Sequence, residues 1–226
     1  MEPLVSVYSG FKVSLKRNSV LKNMGVEKDD PNYAALCEMF DRVNEADYIK
    51  PDVAYAVRDN DIFGLKEEIG DSRYVVLCFC TVGNAISDAA AKKQAEGNEL
   101  EAALLNAIGD YSLKRVKAMS VGYIKGSLTK LLLGISTEPF VPGKNLSNVF
   151  NSIVLVETHA ERLYGATVDL NKEEIVPKKS VVCVYGCDTA RQLPFSAFTP
   201  PDCALCLRRD CENCDVDAPE ALSAAV

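Results

Sequence analysis

The chain has 226 residues, 48% of them hydrophobic and 25% charged, and carries a formal net charge of −7. That hydrophobic share is enough to bury a core, while the acidic balance argues against nucleic-acid binding, which needs a basic face. No stretch reaches the roughly 18 apolar residues that would span a membrane, and the start, MEPLVSVYSGFKVSLKRNSV, lacks the basic-then-apolar order of a secretory signal, so a cytoplasmic protein is expected.

The first predicted element is a short helix over residues 16–24, closed by Gly25 in the position that favours a left-handed backbone. Asp30-Pro31 reads as the start of a second helix, with Tyr33, Leu36, Cys37, Phe40 and Val43 at helical spacing. Lys50-Pro51 ends it. Val53, Tyr55 and Val57 alternate as in a half-buried strand. The run YVVLCFCTV over 74–82 predicts a central strand, and Gly83-Asn84 turns the chain into a helix from about Ile86. A long helical region follows over about 98–133. Its buried stripe is Leu100, Ala103, Leu104, Ala107, Ile108 and Tyr111, and Gly109, Gly122 and Gly126 suggest breaks or close packing along it.

Two prolines and a glycine make a loop of residues 137–145, and Leu146, Val149, Phe150, Ile153 and Val154 then open a helix ending near Tyr164-Gly165. A weak strand signal at 166–168 precedes a clear buried strand at 180–185. Beyond Leu193 the chain turns to proline, cysteine and charge, ending in a tail expected to be disordered.

No standard catalytic constellation is present. The single histidine, His159, falls on a predicted helix and reads as a surface or satisfied polar residue; there is no Walker loop, dinucleotide fingerprint or nucleophile elbow.

Nine cysteines are many for a chain in a reducing compartment, and an odd count argues against a full disulfide framework. Cys37, Cys78, Cys80 and Cys183 sit in apolar runs and read as core residues. Cys203-x-x-Cys206-x-x-x-x-Cys211-x-x-Cys214 differs. Two C-x-x-C pairs let four thiolates converge on one ion, which suits zinc or an iron–sulfur centre, while a flexible tail of reduced thiols is the plain alternative.

The order of these features resembles the reactivation domain of cobalamin-dependent methionine synthase, here as a free-standing relative. The residues that carry the resemblance are VVLCFCTVGNAISD from Val75 to Asp88, AALLNAIGDY from Ala102 to Tyr111, Gly134-Ile135 followed by Pro142-Gly143, and the closing hairpin GATVDLNKEEIVPKKSVVCVYG from Gly165 to Gly186. It spans roughly residues 16–190. It implies an α+β fold, a curved and largely antiparallel sheet flanked by helices, as a single domain over 1–200 with a cysteine-rich motif and tail over 201–226. It implies an S-adenosylmethionine site at Asn106, Val141, Pro142, Gly143, Lys144 and Tyr185. It also implies partners: a corrinoid-binding methyltransferase or methionine synthase subunit that carries cobalamin, and a flavodoxin-type electron donor. The expected role is that of an accessory subunit supporting reductive methylation of cobalamin, a non-autonomous component rather than an enzyme alone.

The loop departs from the family pattern. An arginine expected before Pro-Gly falls on Pro139 or Ser136, depending on the alignment, and a tyrosine expected after it falls on Lys144. A metal- or redox-binding module on the same scaffold, without the methyl donor, is therefore the alternative expectation.

Overall fold

The computed structural model describes residues 4–43, 45–136, 138–169 and 174–189. Its centre is a five-stranded, wholly antiparallel, curved sheet. The strands are β1 (Leu4–Ser9), β2 (Asp52–Asp59), β3 (Tyr74–Thr81), β4 (Gly134–Ile135) and, last in the chain, β7 (Ser180–Asp188), in the order β1-β2-β3-β7-β4. The hairpin of β5 (Thr167–Asp169) and β6 (Glu174–Val176) stands apart as a second, two-stranded sheet.

Strand alternation divides the core in two. Val53, Tyr55, Val76, Cys78, Cys80, Cys183 and Tyr185 face one way, against helices α1 (Arg17–Asn23), α2 (Tyr33–Asp41), α5 (Ala85–Ala95) and α6 (Glu99–Thr129). Val75, Leu77, Phe79, Val182 and Val184 face the other, against α7 (Val149–Glu157), α8 (Ala160–Tyr164) and Phe140 of the preceding loop. Two further short helices, α3 (Glu45–Tyr48) and α4 (Lys66–Ile69), complete the set. Among the described residues no helix is long and apolar enough to cross a membrane.

The central strand, the clear last strand, the first helix with Gly25 at φ +72°, and the helix after Gly83-Asn84 all form where expected. Four expectations are corrected. First, β2 is not half-buried: Ala54 and Ala56, between the larger residues, are also fully buried, so both faces of the strand are covered. Arg58 ties the two layers there, its Nε 2.5 Å from Glu157 Oε2 and its Nη2 donating to Glu157 O at 3.1 Å.

Second, α6 runs unbroken for 31 residues through all three glycines. Only Gly109 is a close-packing position, where an added Cβ would lie 3.0 Å from Lys179 Cε and 3.3 Å from Ile86 Cγ2; at Gly122 and Gly126 it would meet nothing. Third, α2 starts at Tyr33, not at Pro31, since Asp30 Oδ1 accepts from Asn32 N at 2.7 Å and closes a turn first. Fourth, the helix expected from Leu146 to Tyr164 is divided at His159, which is exposed and holds φ +58°. The edge strand β1 has no counterpart in the sequence reading.

Candidate functional site

The loop between β4 and α7 crosses the outer edge of β7. Phe140 and Val184 exchange two backbone bonds, N–H to O each way, at 2.8 Å. The chain then turns on itself: Asn145 Oδ1 accepts from Val141 N at 2.7 Å, Gly143 N donates to Leu146 O at 2.9 Å, and Lys144 N to Val141 O at 3.1 Å. Gly143 holds φ +79°, and an added Cβ would lie 2.8 Å from Asn148 Oδ1. The turn itself therefore requires glycine, for backbone angle and for space.

Beside this loop lies a cleft of about 420 Å³. Val141 and Pro142 form one wall, the hairpin residues Glu174 and Ile175 with Lys178 another, and Ser180, Val181 and Val182 of β7 the floor, with Asn151 of α7 reaching in. Asn151 is only 7% exposed, and its carboxamide makes no hydrogen bond among the described residues. Its amide atoms keep some contact with solvent at the cleft wall, where they are open to a bonding group from outside.

The start of β7 is held firmly. Lys179 Nζ is 2.7 Å from Asp110 Oδ1 of α6, its stem covers Gly109, and Ser180 Oγ donates to Thr81 Oγ1 at 2.8 Å. The Val176-Pro177 peptide is cis. The floor is thus built on a central part of the fold, not on a free end.

Of the residues expected to bind a ligand, Val141 and Pro142 line this cleft. Gly143 and Lys144 are exposed at the tip of the turn and do not line it. Asn106 lies on α6 and donates from its carboxamide to Ala102 O at 3.1 Å within its own helix. Tyr185 is fully buried, packed with the thiols of Cys78, Cys80 and Cys183 under α6. Its hydroxyl is buried with no hydrogen-bond partner among the described residues, and burial raises its pKa well above the ordinary value, with the neighbouring Cys183, Cys78 and Cys80 adding to it.

The sequence reading passed over Asn151, Glu174, Ile175, Lys178, Ser180, Val181 and Val182. One signal was available for Asn151: it stands next to Phe150 in the buried stripe that continues through Val154 and Leu155, a polar residue where the helix is otherwise apolar.

Cys203, Cys206, Cys211 and Cys214, and the expected boundary at residue 200, lie outside the described residues. Among the described residues no set of three or more histidine, cysteine, aspartate or glutamate side chains is arranged to hold a metal ion. Cys78, Cys80, Cys183 and Cys187 are buried, as core packing predicts for the first three; Cys37 is half-buried.

No protein-family model matches the sequence, and no characterised protein matches it in sequence. A solved structure does match in three dimensions: a crystal structure of the MetH reactivation domain bound to AdoHcy, with a TM-score of 0.52 and 9% identity, covering 84% of this chain and 80% of that one. This chain has the reactivation-domain fold. The methionine synthase resemblance read from ordered motifs thus agrees with an alignment over most of both chains, and at 9% identity what the two share is the fold.

Proposed function

We propose that this protein is an accessory component of a corrinoid-dependent methyltransferase or methionine synthase system and supports reductive methylation of the partner's cobalamin. The observation that carries the reading is the shared fold with a reactivation domain whose crystal structure holds AdoHcy. On this reading the ligand is S-adenosylmethionine, and the cleft beside Pro142 is where it binds. The cleft suits an amphoteric small molecule: Asn151 supplies an unused donor and acceptor, exposed Lys178 and Glu174 stand at its rim with opposite charge, and Val141, Pro142 and Ile175 supply apolar walls. S-adenosylmethionine, when bound, supplies the methyl group; this chain's part is to hold and orient it and to meet the corrinoid partner. The electron would come from a flavodoxin-type donor.

The missing loop arginine favours a second reading, in which the scaffold is kept as a metal- or redox-binding module and the methyl donor is lost. A carboxylate is best gripped by a guanidinium, and Ser136, Pro139 and Lys144 do not supply one. Cys203, Cys206, Cys211 and Cys214 would then carry the function by holding zinc or an iron–sulfur centre.

Two measurements separate the readings. Affinity capture with a purified corrinoid protein, in each cobalt oxidation state, should retain the partner on the first reading and fail in all states on the second. Calorimetry with S-adenosylmethionine should give a Kd below about 100 μM, roughly −5.5 kcal/mol, on the first. No heat of binding together with one stoichiometric metal per chain, in anaerobically purified protein, would establish the second and overturn the first.

A further inference from the structure

Three of the large apolar side chains that this fold leaves in water lie at one end of the central sheet. β2 ends there at Asp59, β3 begins at Tyr74, and β7 ends at Asp188. α6 also runs out there, at Thr129, toward β4, which pairs with Asp188 and Cys187. At that end Leu131 is 47% exposed, Leu132 67% and Ile62 70%. Leu132 also holds φ +56°, and Leu133 N donates back to Leu128 O at 3.1 Å to close the helix around it. That position normally takes glycine, because a Cβ at positive φ crowds its own backbone. A leucine kept there and left in water serves neither the turn nor the core.

On the α7 side of the same end is a pocket of about 250 Å³. It is lined by Val57, Phe63 and Tyr74, with exposed Ile62 and Asp59 and the half-buried Glu157. Arg58 holds Glu157 in place. The volume lies below the roughly 300–1,000 Å³ of small-molecule sites. It suits a single anchoring side chain from a protein partner instead.

Charge identifies that partner. The chain carries −7 overall, yet residues 111–137 contain Lys114, Arg115, Lys117, Lys125 and Lys130 and no acid. The pocket's loop is the reverse. From Asp59 to Asp71 there are five carboxylates and one amine, Lys66, which pairs with Asp61. Lys130, beside the exposed leucines, is in no ion pair among the described residues. One chain thus carries a cationic tip with leucines and an acidic pocket with aromatic walls, each the complement of the other. The tip does not line the pocket of its own copy. Since both stand at one end of the molecule, a two-fold axis there would bring each tip to the other copy's pocket, in a closed pair with two identical contacts.

We propose that this end of the sheet is a self-association surface for a second copy of the chain. Leu132 of one copy seats in the pocket of the other, with Leu131 against Ile62 and Lys130 toward Asp59. The Pro142 cleft stands at the opposite end, where β7 begins, so pairing leaves it open.

The test is sedimentation equilibrium of the full chain at micromolar concentrations, where a reversible dimer is expected. Leu132→Gly removes the anchor and relieves the backbone. It should weaken the dimer about tenfold or more while raising the melting temperature of dilute, monomeric protein, which separates lost association from lost fold. Ile62→Lys sets a cation at the exposed edge of the pocket. It should weaken the dimer to a similar degree with an unchanged melting temperature. Each variant keeps what the other lacks, so mixing the two restores one intact contact. The mixture should associate more tightly than either variant alone and less tightly than the unaltered chain. A monomer at every concentration, a dimer indifferent to both substitutions, or a mixture no tighter than its parts would overturn the proposal.

Discussion

The two sides of β7 treat polar groups in opposite ways. Toward α6, Cys183 and Tyr185 are sealed with Cys78 and Cys80 in a dry layer, and all four are fully buried. The Cys78 and Cys80 sulfurs lie 3.7 Å apart; the hydrogen bond between them, and then burial, raise the Cys78 thiol well above its ordinary pKa. Toward the outer edge, Ser180 and Val181 line an open cleft with the Asn151 carboxamide of α7. A polar atom in the sealed layer has no path to a ligand and contributes through packing. The same kind of atom at the edge is available for binding. Tyr185, expected at the binding site, belongs to the first class, and Asn151, which was not expected, belongs to the second.

The contrast is broken most severely by removing bulk from the sealed side. Tyr185→Ala leaves a large cavity under α6 and should cost about 3–5 kcal/mol in denaturant unfolding; a loss under about 1 kcal/mol would show that the layer is not close-packed. Ligand binding in the surviving folded fraction should be little changed, since the ring does not line the cleft.

The next effect is alkaline. Burial pushes the Cys183 thiol from 9.0 up to about 11. A folded pKa above the unfolded one means that the stabilisation is complete below pH 9 and is lost as pH rises through 11. The expected loss is about 2–3 kcal/mol across that window. Unfolding free energy measured from pH 8 to 11 should fall accordingly, and Cys183→Val should flatten that part of the curve. An unchanged profile in the variant would mean that the thiol is not desolvated as described.

The smallest of the three lies at the loop. Gly143→Ala places a Cβ at positive φ against Asn148 and should cost about 1–2 kcal/mol, seen as a lower melting temperature with ligand affinity retained in the folded protein. Full stability with lost affinity would instead make Gly143 a ligand-contacting residue.

Much of the fold was legible in the sequence because periodicity and chain order are local facts. The runs at Tyr74 and Ser180 contain enough strand formers to be read without a partner, and the ordered Thr-x-Gly, Gly-Ile, Pro-Gly and closing hairpin motifs pointed to a fold that the structural comparison shares. The errors have physical causes. The edge strand LVSVYS shows as a strand through its pairing with β2, which is a long-range contact. Gly122 and Gly126 did not break α6, since tertiary packing along its buried face outweighs the roughly 1 kcal/mol that each glycine costs in a helix. His159 breaks a helix that its apolar pattern would have continued.

The sequence by itself determined the element types, the dry thiol character of the central strands, and the Pro142-Gly143 turn, because each depends on neighbours a few residues away. Only the tertiary structure decided what those elements leave open. Pro142 lines a cleft with a strand some forty residues later in the chain, and Asn151 reaches that cleft from α7 without a hydrogen bond to its carboxamide among the described residues. Tyr185 points inward because α6 lies over that face of β7. A binding cleft is defined by groups left unsatisfied, and satisfaction is settled by contacts distant in sequence, which no local pattern records.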